Sequence, residues 1–76
     1  MSDTAAIAKQ LLASALQVEE AEVDDATAIG VTERWDSLAH MRLVLALEEH
    51  LNAEVNTEDM LGIENFGDVV AFLEKH

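Results

Sequence analysis

Apolar residues recur at helical spacing in three stretches of this chain and lose that period between the first two. Ile7, Leu11, Leu12, Ala15 and Leu16 fall on one face of a helix that has Ser2, Asp3 and Thr4 as cap candidates and fades near Gln17–Val18. A second helix is predicted from about Ser37 to Leu51, with Asp36 as N-cap and Asn52 and Ala53 ending it. A short third helix starts at Thr57, carries Glu58 and Asp59 in its first turn and has Gly62 just past its end. The last opens at Asn65, which forms a variant capping box with Asp68. Phe66, Val69, Val70 and Leu73 follow at i, i+3, i+4 and i+7.

Strand signals are weak: no β-branched alternation persists, and no Asn-Gly or Asp-Gly hairpin occurs. The expected fold is therefore all-α, a small four-helix bundle of three longer helices and one short one. Residues 1–76 are read as a single domain. Glu19 to Trp35 has no clean period, and a linking segment of that length in a compact domain usually has a function. Val23, Ile29, Val31 and Trp35 are expected to pin it to the core as an ordered loop, with Trp35 as the main anchor.

Composition narrows the function classes. A chain of 76 residues buries only about 60% of its unfolded surface, so its stability is marginal. With no Cys there is neither a disulfide framework nor a Cys-based zinc site. Sixteen acids against four bases give a net charge of −12, which repels phosphate backbones and anionic lipid and favours basic partners. The longest apolar runs are five residues, far short of the roughly 20 that a membrane span needs. The start, Met-Ser-Asp-Thr, has no basic, apolar leader, so a soluble cytoplasmic monomer is expected.

Helix two carries the most informative pattern. Leu43, Val44, Leu47 and Leu51 share its core face. Leu38, Met41 and Leu45 form a second stripe well over about 100° away, bordered by Glu48 and Glu49 with Arg42 beside it. Either the helix is central and buried on two sides, or this second stripe is an apolar docking strip edged with acids. Ser37 lies where loop becomes helix, and an anion attached there would meet unpaired N–H groups and the positive end of the helix dipole. Catalysis is not expected. Asp36, Ser37 and His40 are neighbours at the start of one helix, His40 turns toward the core side, and no nucleophile elbow is present. His40, His50 and His76 lack metal-ligand spacing, and the acids of Glu19–Asp25 lack the order of a calcium loop, so no metal site is predicted.

The run from Trp35 to Glu49, Trp-Asp-Ser-Leu-Ala-His-Met-Arg-Leu-Val-Leu-Ala-Leu-Glu-Glu, resembles the acyl carrier proteins. The resemblance extends over nearly the whole chain: helix, long loop, Asp-Ser-Leu helix, short helix, final helix and strong acidity. It implies that Ser37, flanked by Asp36 and Leu38, carries 4′-phosphopantetheine placed there by a phosphopantetheinyl transferase. It also implies a non-catalytic carrier that holds an acyl group as a thioester on that cofactor. Leu38, Met41, Arg42, Leu45, Glu48 and Glu49 would then meet basic patches on loading and transferring enzymes. Three departures point away from housekeeping fatty-acid synthesis toward a dedicated pathway. Arg34 and Trp35 precede Asp-Ser-Leu where Gly is frequent, Arg42 stands where an acid is common, and Asn56 follows Val55 where Pro is common. An aminoacyl or peptidyl carrier is the alternative cargo class, and a cofactor-free helical interaction module the alternative of a different class.

Overall fold

Two left-handed backbone residues and three side-chain caps set the ends of the helices. The structure is a computed structural model and describes residues 3–76. Helix α1 runs Thr4–Leu16, α2 Ser37–Leu51, α3 Thr57–Gly62 and α4 Phe66–Lys75, with one 3-10 turn at Glu20–Glu22. The expected four-helix architecture is therefore present. Ser2, one of the expected cap candidates, lies outside the described residues. Asp3 precedes α1 but makes no side-chain cap bond. Gln17 and Asn52 end α1 and α2 with φ of 60° and 53°, the left-handed turn that stops a helix.

At the starts of the last three helices, Asp36, Asn56 and Asn65 accept from the backbone N–H groups of Ala39, Asp59 and Asp68. Two details differ from expectation. Gly62 closes α3 from within rather than following it. Asp68 reaches back past Asn65 to the N–H of Glu64, at 3.0 Å, so the reciprocal half of the cap serves the residue before the cap.

Helix α1 packs against both α2 and α4. The core between them is built from Leu12 and Leu16 of α1, Leu43 and Leu47 of α2, and Val69, Phe72 and Leu73 of α4. Helix α3 buries no side chain fully. Val23 and Trp35 are buried and Ile29 packs against the core, as expected of a pinned loop. Val31 is the exception, 78% exposed. Gly30, at φ +81°, turns the chain there, and the N–H groups of Val31 and Thr32 both return to the Ala28 carbonyl, which leaves Val31 at the tip of the turn.

The loop is also strapped down by backbone. Ile29 N–H donates to Glu64 O at 2.8 Å and Phe66 N–H to Thr27 O at 3.0 Å, a single antiparallel bridge that is the only extended pairing among the described residues. Thr27 is buried because its hydroxyl is used, accepting from Asp24 N–H at 2.9 Å. Glu19 and Glu22 cap the 3-10 turn reciprocally, so part of the acidic run has local structural work.

Among the described residues no Lys or Arg closes an ion pair with an acid. The 16 acids therefore repel one another over a small body with little local compensation. The melting midpoint should rise with sodium chloride, since mobile ions screen that repulsion. Thermal melts at low and high salt check this, and a flat or falling midpoint would show self-repulsion to be negligible.

Candidate functional site

The start of α2 is a built-up corner. Asp36 holds an extended backbone (φ −103°, ψ −173°), and its carboxylate takes the Ala39 N–H at 2.8 Å while its carbonyl takes that of His40 at 2.9 Å. This fixes Ser37 as the first helical residue. Its side chain is exposed, and among the described residues its hydroxyl makes no hydrogen bond. The N–H groups of Ser37 and Leu38 likewise point out of the helix without a partner among the described residues. A hydroxyl left free beside two unpaired donors at the positive end of a helix of 15 residues suits a phosphodiester.

An apolar cavity of about 320 Å³ opens directly beside that hydroxyl, lined by Ile29, Ser37, His40, Met41, Met60, Leu61, Ile63 and Glu64. Loop, α2, α3 and the segment before α4 each contribute a wall. Sequence reasoning placed Ser37 and Met41 at a site and missed the rest, because helix periodicity says nothing about which side of a short helix faces another element. The adjacent apolar pair Met60-Leu61 in an otherwise polar short helix was the available signal.

Leu38, Met41 and Leu45 all lie at the surface, so α2 is not buried on two sides. Leu61, also exposed, joins Met41 on the cavity wall. Glu49 is exposed, whereas Glu48 is half-buried and accepts from Val55 N–H at 2.9 Å, which ties down the α2–α3 connection. Arg42 turns away to the end of α1, its Nη1 lying 3.4 Å from the carbonyl of Ala15. That carbonyl is one of the unpaired acceptors of α1, and a cation is favoured there. His40 is held between Trp35 and Met60 and is not hydrogen-bonded to Ser37.

Fold and corner together define a small acidic helical scaffold with one free hydroxyl presented over an apolar cavity. Residues 7–73 match the family model described as phosphopantetheine attachment site. The chain is also 35% identical over 68 residues to acyl carrier proteins from three strains of Clostridium perfringens, with 90% of each chain covered. It belongs to the acyl carrier protein family, whose members hold 4′-phosphopantetheine covalently. That membership supplies the cofactor, and the reading of a cofactor-free module gives way to it. Carriers of this kind work with a phosphopantetheinyl transferase and with biosynthetic enzymes. Among the described residues no helix is long and apolar enough to cross a membrane.

Proposed function

We propose that residues 1–76 form one non-catalytic carrier domain in which Ser37 bears the phosphopantetheine and presents an acyl cargo to the enzymes of a dedicated pathway. The observation that carries this reading is the exposed Ser37 hydroxyl, unbonded among the described residues, beside an apolar cavity of about 320 Å³. Asp36 acts through the backbone: by capping Ala39 it keeps Ser37 in the first turn and the adjacent N–H groups free for the phosphodiester. Leu38, exposed next to the attachment point, offers apolar contact to whatever approaches it. The bound group supplies a thiol that holds the cargo as a thioester. The cavity walls Ile29, Met41, Met60 and Ile63 offer an apolar cargo a dry seat. They favour an acyl chain over an aminoacyl or peptidyl group, whose polar atoms would find few partners there.

Incubation with coenzyme A and a broad-specificity phosphopantetheinyl transferase should add one phosphopantetheinyl group per chain by intact mass. Peptide mapping should place it on Ser37. A mass that does not change, or a group mapped elsewhere, would sink the assignment.

The partner surface is read as Leu38, Met41 and Leu45 with Glu49 at its edge, and Glu48 and Arg42 contribute what their internal bonds leave free. Basic patches on successive enzymes would meet it in brief, salt-sensitive encounters. Glu49→Lys should slow loading or transfer by a cognate enzyme by roughly 3- to 10-fold at low salt, and less as salt rises. Met41→Ala should slow the same steps without unfolding the domain. Stopped-flow transfer kinetics and melts on the same variants decide, and unaltered transfer would mark this face as idle.

A further inference from the structure

His40 has both ring nitrogens engaged, and the two partners leave only one way to place its proton. Trp35 Nε1 is 3.0 Å from His40 Nδ1, and an indole N–H can only donate, so Nδ1 must accept. His40 Nε2 is 2.8 Å from the carbonyl of Met60, which can only accept, so Nε2 must carry the hydrogen. One imidazole therefore joins three elements: the loop through Trp35, α2 through its own backbone, and α3 through Met60. The two aromatic rings lie 6.0 Å apart at 26°.

The Val55–Glu48 and Ile29–Glu64 bonds fasten the chain on either side of α3, but α3 itself has little else to hold it. Helix α3 is six residues long, buries no side chain fully, and among the described residues the Met60 carbonyl has one other partner, the Ile63 N–H at a long 3.4 Å. Elements with so few buried contacts open first. At the other end, Trp35 is 2% exposed, and among the described residues His40 is the one partner of its indole N–H. Losing that partner would strand a buried donor.

We propose that His40, as its Nε2–H tautomer, is a positioning residue that latches α3 over the cavity beside Ser37, with the buried Trp35 indole setting the tautomer. This deepens the carrier reading, since Met60, Leu61 and His40 itself line the cavity given there to the cargo. The latch belongs to the unmodified chain. It is therefore tested without the cofactor, and its failure is distinguishable from failure of Ser37 as attachment site, which the mass measurement reads.

The test uses the unmodified 76-residue protein in two measurements. Nitrogen-15 NMR of the His40 ring at neutral pH should show a protonated Nε2 and an unprotonated Nδ1. This needs no variant, and a hydrogen on Nδ1 would overturn the proposal outright. Hydrogen exchange is then followed residue by residue in wild type, His40→Phe and His40→Gln. His40→Phe keeps a ring and removes both bonds, so the amides of α3 should exchange roughly tenfold faster while Leu12 and Val69 in the core change much less. His40→Gln retains an amide N–H for the Met60 carbonyl and should recover most of that protection. Unchanged α3 exchange in His40→Phe, core amides accelerated by the same factor as α3, or a Gln variant no better than Phe would each overturn it.

Discussion

Ser37→Ala should give a folded, fully helical protein that takes up no phosphopantetheine at all. The two halves of that expectation rest on separate observations. The Ser37 side chain is exposed, its hydroxyl serves no bond among the described residues, and the cap of α2 is the Asp36 carboxylate. Removing one oxygen therefore deletes no structural contact, and Ala is the residue best tolerated in a helix. Stability should move by no more than about 0.5 kcal/mol, the range of uncommitted surface sites. Modification should fall from one group per chain to none, because no other described residue lining the cavity carries a hydroxyl. Circular dichroism with intact mass after transferase treatment reads both. Persisting modification would refute Ser37 as the site, and a collapsed helix signal would show the hydroxyl to be structural.

Leu47→Ala should be the opposite kind of change, costing roughly 2–5 kcal/mol, as truncation of a buried Leu does. Leu47 is completely buried in the core shared by α1, α2 and α4. A domain this small holds on the order of 5 kcal/mol in all, so the variant should be largely unfolded near physiological temperature. Two residues earlier on the same helix, Leu45 is 60% exposed, and Leu45→Ala should shift stability by only about 0.5 kcal/mol. Urea unfolding of the pair is a direct measure of which face of α2 is core. Similar costs at both positions would mean that the second stripe is covered.

What could be read from residues alone was whatever local chemistry decides. The start of α2 was legible because Asp36 caps through a bond three residues away, and its core face because Leu43, Val44 and Leu47 obey a helical period. The exposed stripe of Leu38, Met41 and Leu45 was visible as a pattern, but whether another element covered it was not. Periodicity locates a face and leaves its neighbour unnamed. The loop was the least legible part. Val23, Ile29 and Trp35 do anchor it, but Val31 looked like a fourth anchor by hydropathy and the turn at Gly30 put it in solvent, while a further fastening is a backbone bridge to Asn65 that no side chain encodes. Arg42 likewise read as surface charge, and its bond to Ala15 depends on a helix crossing 27 residues away in sequence. The Trp35–His40–Met60 bonds stayed hidden for the same reason: spans of five residues across a loop–helix joint and twenty residues between helices belong to neither structural period.

The chain has one Trp and no Tyr, and that Trp sits with its indole bonded to a residue lining the cavity. Its ultraviolet emission is therefore a built-in optical gauge of this one joint, uncontaminated by any second indole. Cargo entering or leaving beside Ser37 can be followed through the colour and brightness of that emission, on a protein bearing no dye and no altered residue.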